Sequence, residues 1–466
     1  MYDYIYVIII FALLFLFAYI KIRYPFWNMQ PVFHSYDYWR YFARTPFQIQ
    51  YGKSLKTKYT TPKTVQTYAF LDISEKQLAQ FVDLLQCHYI SSEHILTMMD
   101  KHTIQTYLTG QNQSSYVSFF QEDSYTAIVN KDPSAVSILD ILATPTPIGC
   151  MSSRPVRLFI WDRANVIHDK MAYYWDHLCV HRDFQKKNLG RNLIQTLEYV
   201  QRDKNPDIPV SIFKKEQTLC EGIVPLVKYK VSTFYLRNIR IPPLPPHFTV
   251  VRIFLENMDI LSDFLYGISH PQLISQYNSQ DTTNGANDTK NKPDKNSQNI
   301  ETSNNKTSPF SFCAFPEIGA LATLVKSQLW YIYAVKRETH IYGLYFLKNT
   351  KTTYDPPINT DQDTKNAKIT DQLNLLECVS SVSNMSGPLN SGLFFAGFLH
   401  ALRDIMGLSE PKYKIISFTD LGHNGQILDK WRWKYSPLFE YPAAYYMYNM
   451  VVPGMPVQKE RCLILL

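Results

Sequence analysis

Paired cysteines are missing from this 466-residue chain. Its seven, at Cys87, Cys150, Cys179, Cys220, Cys313, Cys378 and Cys462, are odd in number and never fall at CxxC spacing. That excludes a disulfide framework and offers no zinc pattern, and a reducing compartment is expected. Histidines do not repair the deficit: His88, His94 and His102 are close together but suit no usual zinc motif, so they read as core or surface and no metal is expected. Charge of one sign is also lacking. Lysine and arginine number 47 against 40 acids, a net +7 partly spread through polar loops, too little for a general nucleic-acid footprint but enough for an anionic ligand or a membrane surface. No glycine follows Met1, which removes the chain itself as a target of N-terminal myristoylation.

Long apolar runs are rare, with one exception. Tyr4 to Ile20 contains no charge, and counted from Tyr2 the run approaches the ~20 residues that span a bilayer core. Only Asp3 is charged before it and no small-residue cleavage site follows, so residues 2–20 are expected to be an anchor rather than a cleaved leader. Lys21 and Arg23 after the run place the body on the cytosolic side. The expectation is a single-pass membrane protein.

Two polar, low-complexity stretches, Asn278 to Thr307 and Asn349 to Asn366, have too little apolar surface to offset their ordering entropy. They read as disordered surface insertions, because apolar patterning continues on both sides. Between the anchor and the first of them helices and strands mix, with Gln77 to Leu85 helical and Val156 to Trp161 a strand. A Pro-rich connector, Ile241 to Pro246, then leads to Thr249-Val-Val-Arg-Ile and a second such series. The expected organisation is an α/β chain in two halves, residues 21–240 and 247–466. The final Cys-Leu-Ile-Leu-Leu is apolar to its end and reads as a buried strand, where chain ends are normally frayed.

The most informative stretch is Trp175 to Ile194. Apolar Leu178, Cys179 and Val180 run into a basic turn, and Gln185-x-x-Asn188-x-Gly190 opens a helix carrying Leu193, Ile194 and Leu197. The free N–H groups of a helix start, with its dipole, favour an anion there. Asn188 tolerates a left-handed backbone, Gly190 permits close approach, and Lys186, Lys187 and Arg191 add positive charge. The pattern resembles a pyrophosphate cradle of the kind found in acyl-CoA-binding acyltransferases of the GCN5-related type, and an ordinary solvated helix start shares it.

Four blocks together resemble the glycylpeptide N-tetradecanoyltransferase, or N-myristoyltransferase, family. They are Pro25-Phe26-Trp27 with Gln30-Pro31-Val32, Ile148-Gly149 through Pro155, Leu178-Cys179-Val180-His181 with its basic turn, and the pair Asp420-Leu421-x-x-Asn424 and Tyr445-Tyr446-Met447-Tyr448-Asn449. Their order holds from Phe26 to Leu466. The resemblance implies two pseudo-symmetric GCN5-related halves sharing a mixed sheet. It implies a myristoyl-CoA site made of Pro25, Phe26, Trp27, His177, Leu178, Cys179, Val180, Lys186, Lys187, Asn188, Leu189 and Gly190. Transfer to an N-terminal glycine amine would be direct, in a monomer. The backbone N–H groups of His177 and Leu178 would form the oxyanion hole, and the α-carboxylate of Leu466 would be the base.

Some positions depart from the family pattern. His177 replaces a phenylalanine and reads as a partly exposed histidine without a proton-transfer role, while Cys179 reads as a packed residue and not a nucleophile. Lys214 falls where the family has a threonine that holds the acceptor glycine, and its charge would repel an ammonium unless it points away or is paired. Tyr435 to Pro442 replaces a glycine-rich turn, leaving Glu440 as a possible acid or a surface residue. These departures leave open a different amine acceptor, or a non-catalytic relative that binds acyl-CoA or acylated peptide.

Overall fold

The computed structural model of the chain describes residues 2–90, 95–121, 146–237, 239–269, 309–354, 373–384 and 388–466. The apolar run forms one helix, α1 (Tyr2–Arg23), long and apolar enough between Tyr4 and Arg23 to cross a membrane, with none of that window buried inside the protein. Its apolar residues lie all round the helix, unlike those of α2 (Glu75–His88), which turns Leu78, Phe81, Val82 and Leu85 inward. A capping box starts α2: Ser74 accepts from the Gln77 N–H while the Gln77 side chain accepts from the Ser74 N–H. The remaining helices used below are α3 (Lys101–Leu108), α4 (Leu189–Lys204), α5 (Met258–Ser269), α6 (Ile318–Lys326), α7 (Pro388–Met406) and α8 (Asn424–Arg432).

The described strands are β1 (Phe47–Gln48), β2 (Val65–Ala69), β3 (Ile95–Thr97), β4 (Tyr116–Gln121), β5 (Pro147–Trp161), β6 (Ile167–Val180), β7 (Ser211–Glu216), β8 (Val227–Tyr235), β9 (Phe248–Ile253), β10 (Phe312–Phe315), β11 (Trp330–Arg337), β12 (His340–Tyr354), β13 (Leu373–Ser383), β14 (Tyr413–Thr419), β15 (Phe439–Tyr448), β16 (Met450–Val451) and β17 (Cys462–Ile464). Fifteen of them form one mixed sheet, along the path β17-β10-β5-β6-β7-β15-β8-β14-β13-β12-β11-β9 with β2, β3 and β4 attached.

One topological unit occurs twice in this path. Antiparallel β4-β5-β6 is followed by helix α4 and a parallel partner, β7, and antiparallel β11-β12-β13 by helix α7 and a parallel partner, β14. Each half then sends its next strand into the other. β8 pairs with β14, and β15 pairs with β7, while β8 and β15 pair with one another. The two halves share a sheet because their final strands are exchanged.

The last residues are buried at the centre. Cys462, Ile464 and Leu466 join the core beneath β5, β6 and β15, while Leu463 and Leu465 join the core around α5 and α6. This alternation is that of a strand with both faces covered. Each fully buried aliphatic side chain contributes about 1.5–3 kcal/mol, which is why this end does not fray.

The polar insertions need one correction. The sequence places the second from Asn349, but β12 runs on to Tyr354, its Thr352 to Tyr354 paired with β3 and its Thr353 and Tyr354 with β13. Threonine and tyrosine suit a pleated, half-buried strand even where their polarity suggests a loop. Residues 355–366, like Asn278 to Thr307 and His94, lie outside the described residues.

Candidate active site

Strand β6 pairs with β7 only over Tyr173 to Trp175, then runs on to Val180 while β7 diverges. The resulting wedge is where the basic turn begins. Within it β6 bulges: Ser152 faces Asp176 and Cys150 faces Cys179, so His177 and Leu178 stand opposite Met151 alone. His177 adopts a left-handed backbone with φ of 53°, a conformation that costs a branched or bulky residue energy and here re-aims the two following peptide groups.

Beyond the bulge a short 3-10 turn, Arg182–Phe184, leads to Asn188, which is left-handed at φ 64° and caps α4 without a side-chain hydrogen bond. The first N–H groups of α4, at Leu189 and Gly190, thus face outward without an intrahelical acceptor. Lys186 and Lys187 are exposed beside them and Arg191 is half-buried. Gly190 has an ordinary backbone, and a Cβ there would meet the Leu178 side chain at 3.8 Å. The bulge and the anion cradle are therefore adjacent.

The Pro25-Phe26-Trp27 element reaches the same place. Phe26 is buried against Tyr59, and Trp27 stacks on Phe213 of β7 with ring centroids 5.5 Å apart and planes 2° from parallel. Phe213 in turn stacks on Trp175 and Tyr446. Trp27, Val180 and Leu189 belong to one apolar cluster. Two blocks far apart in sequence hold that element down: Tyr448 Oη donates to Gln30 Oε1 at 2.7 Å, and the Asn449 N–H donates to the Pro31 carbonyl at 2.7 Å.

Three site expectations change. His177 is buried, not partly exposed: its ring packs against Phe81 and Tyr89, with Nδ1 2.8 Å from Ser152 Oγ, and burial lowers its pKa. The left-handed backbone turns the side chain into the core, which spacing cannot reveal. The His177 N–H is not a free donor either, since it donates to Asp176 Oδ1 at 2.8 Å. Only Leu178 of the pair remains a candidate donor without such a side-chain acceptor among the described residues. Lys214 is ion-paired with Glu216 at 2.5 Å and faces Glu377 at 3.8 Å. Burial works against its charge, but Glu216 and Glu377 outweigh it and raise its pKa well above the usual lysine range.

Cys179 is packed, its Sγ 3.4 Å from the Leu84 carbonyl in the core under α2. Glu440 accepts from Ser232 and Arg432, contacts that lower its pKa, and Asp420 is paired with Lys459. Neither offers a free carboxylate to a ligand.

Several wholly or partly buried polar groups that sequence reading did not single out converge behind the wedge. Asp176 accepts from the His177 N–H and from Tyr89 Oη at 3.3 Å. Burial opposes its ionisation, but His177, Lys348 and Arg154 outweigh it and bring its pKa to about 2. Lys348 of β12 approaches the Leu466 main-chain oxygen at 3.5 Å and lies over the Tyr107 ring at 5.1 Å. Burial lowers the pKa of Lys348, with Glu377 and Asp176 acting the other way. Arg154 of β5 is sandwiched between Tyr107 and Tyr174 at 5.2 and 5.3 Å. A lone charge inside an apolar strand run, as in Leu347-Lys348 or Leu376-Glu377-Cys378, is the trace these residues leave in the sequence.

No family model matches the chain, and no curated protein matches it by sequence. Solved structures do share its fold. A Saccharomyces cerevisiae N-myristoyltransferase with bound myristoyl-CoA superposes with a TM-score of 0.58 at 13% identity, covering 93% of this chain and 94% of that one. A second structure of the yeast enzyme with myristoyl-CoA gives 0.58 at 12% identity over 93% and 89%, and a third, with inhibitors as well, 0.57 at 12% over 93% and 91%. The mixed α/β fold suggested by the four short blocks thus extends over nearly the whole chain.

Proposed function

We propose that the chain is a membrane-anchored acyltransferase that moves myristate from myristoyl-CoA to the N-terminal glycine amine of a protein. The observation that carries this reading is the convergence of the His177-Leu178 bulge, the outward N–H groups of α4 and the Phe26-Trp27 element at one end of β6. The CoA phosphates would lie on Lys186, Lys187 and the start of α4, and the acyl chain among apolar side chains near Trp27 and Val180. Fold likeness to the yeast enzyme over nearly its full length supports the same assignment.

In the proposed reaction the acceptor nitrogen attacks the thioester carbonyl and forms the amide C–N bond. The acceptor ammonium gives one proton to a carboxylate before the attack, and as the C–S bond breaks a second nitrogen-borne proton goes to the sulfur, so that CoA leaves as the thiol. Leu178 N–H would stabilise the oxyanion, joined by His177 N–H if Asp176 releases it. Such donors act on charge that exists only in the transition state. The Leu466 α-carboxylate is the proposed base: its residue is buried, and Lys348 Nζ lies 3.5 Å from its main-chain oxygen. With Lys214 paired to Glu216, its charge is no longer an argument for a different acceptor. Helix α1 would span the membrane, with the body on the side of Lys21 and Arg23.

The test is incubation of the full chain in lipid nanodiscs with labelled myristoyl-CoA and peptides bearing N-terminal Gly, N-terminal Ala or internal Lys. Labelling of the Gly peptide alone is expected. Lysine labelling would transfer the proposal to another amine acceptor, and binding without turnover would make the chain a non-catalytic relative. Extending the chain beyond Leu466 should lower turnover by about 100-fold or more while changing acyl-CoA affinity little. Unchanged turnover would remove the terminal carboxylate from the mechanism.

A further inference from the structure

The 3-10 turn Tyr38–Phe42 shows the reverse of ordinary surface polarity. Its cation points inward: Arg40 Nη1 donates to the Val32 carbonyl at 2.8 Å and Nε pairs with Asp37 at 2.6 Å. Tyr41 packs on Phe33 at 4.7 Å between ring centroids. Its other three aromatics point outward, Tyr38 72%, Trp39 86% and Phe42 72% exposed. A turn in water gains by doing the opposite, since large aromatic rings carry most of the burial free energy of a segment.

The turn sits beside the exit of α1. Ser35 N–H donates to the Gly222 carbonyl at 3.0 Å, and His34 bridges Ile223. The Tyr24 ring covers Gly222 so closely that a Cβ there would come within 2.8 Å, and Arg23 pairs with Glu221 at 2.5 Å. The end of α1 and the base of the aromatic turn therefore hold the same three residues, 221–223. Two exposed arginines flank the turn: Arg163 donates to the Tyr41 carbonyl at 3.3 Å, and its N–H to the Arg44 carbonyl at 3.2 Å.

We propose that Tyr38, Trp39 and Phe42 form a second membrane contact, inserting at the lipid–water interface beside the end of α1. The inference rests on the reading of α1 as a membrane-spanning helix. Amphipathic aromatics favour the headgroup level, and cations beside them meet lipid phosphates. A bilayer is favoured over a protein partner because the turn and the end of α1, a segment suited to lipid, are anchored on the same residues 221–223. Two contacts fix the orientation of the body where one helix would leave it free to swing, and they hold the Phe26-Trp27 element between them.

The experiment uses the full chain in phosphatidylcholine vesicles containing a phospholipid with a diazirine high on one acyl chain, with photolabelled peptides mapped by mass spectrometry. Labelling of α1 and of residues 37–44 is expected, with none around Trp433, which is 93% exposed in the other half of the protein. The Y38S/W39S/F42S variant should lose labelling of residues 37–44 and keep that of α1. Labelling of α1 without residues 37–44 overturns the second contact and leaves the anchor intact. Absence of label from both overturns the anchor as well, and labelling at Trp433 equal to that at residues 37–44 overturns the inference as non-specific.

Discussion

The crossover from β6 to β7 and the crossover from β13 to β14 are the same piece of topology, yet among the described residues they differ in the features on which the proposed anion site rests. β6 and β7 separate after Trp175, and the residues that follow supply Arg182, Lys186, Lys187 and Arg191 with an outward helix start. β13 and β14 separate after Cys378, and the stretch from Asn384 to Gly392 has no lysine or arginine. Its helix begins at Pro388, whose nitrogen has no hydrogen to donate. The second wedge is also plugged: Asn424 Nδ2 donates to the Cys378 carbonyl at 3.0 Å and the Thr419 carbonyl at 2.7 Å, while Thr419 Oγ1 reaches back to β13. The repeated topology makes two wedges, and the side chains of Asn424 and Thr419 fill the second.

The bulges differ in the same sense. In β6 the bulge places His177 in the left-handed region, whereas β13, where Ser380 and Cys378 face neighbouring Phe346 and Leu347, contains no residue of positive φ. A bulge alone bends a strand. Adding the left-handed residue also redirects the peptide groups beside the cradle.

The largest expected effect comes from breaking the link across the halves. Lys214→Met strips the counter-ion from Glu216 and a nearby cation from Glu377 of β13, and should cost about 2–3 kcal/mol in denaturant unfolding, less than a fully buried pair because Glu216 is partly exposed and Glu377 keeps Lys348 near it. Recovery of most of that loss in the triple variant Lys214→Met, Glu216→Gln, Glu377→Gln would identify the ion pairing as its cause. Next in size, reversing Lys186, Lys187 and Arg191 to glutamate should weaken myristoyl-CoA binding by about 10- to 100-fold, measured by calorimetry, with an effect that shrinks at high salt. An unchanged affinity would erase the proposed difference between the wedges.

The smallest effect concerns the His177 bulge. Its pKa is lowered by burial from 6.5, so below that pH the unfolded chain binds a proton that the folded chain resists, and stability falls as pH falls. His34, His88 and His423 act in the same direction. His177→Phe should therefore reduce, not abolish, the loss of stability between pH 7 and 5.5, by roughly 1 kcal/mol. An identical pH profile in the variant would show that His177 titrates alike in the folded and the unfolded chain.

Periodicity and turn chemistry were enough for the elements of the open wedge. The apolar run before Lys21, the left-handed tolerance of Asn188, the helix through Leu193 and Leu197, and the apolar Cys462 to Leu466 end each depend on neighbours in sequence, which is where backbone preference and local charge act. The matched order of four blocks added the fold. None of these local rules reaches across strands. Whether Lys214 would repel an ammonium depended on Glu216 being two residues away on the same face and on Glu377 arriving from the other half. Whether the His177 N–H was free depended on which way the Asp176 carboxylate turned at a bulge. The exchange of β8 and β15, the placement of Lys348 beside Leu466, and the outward aromatic turn beside α1 were likewise decided by the tertiary structure. Pairing and burial are relations between distant residues, and hydrogen bonding and charge take their strength from them.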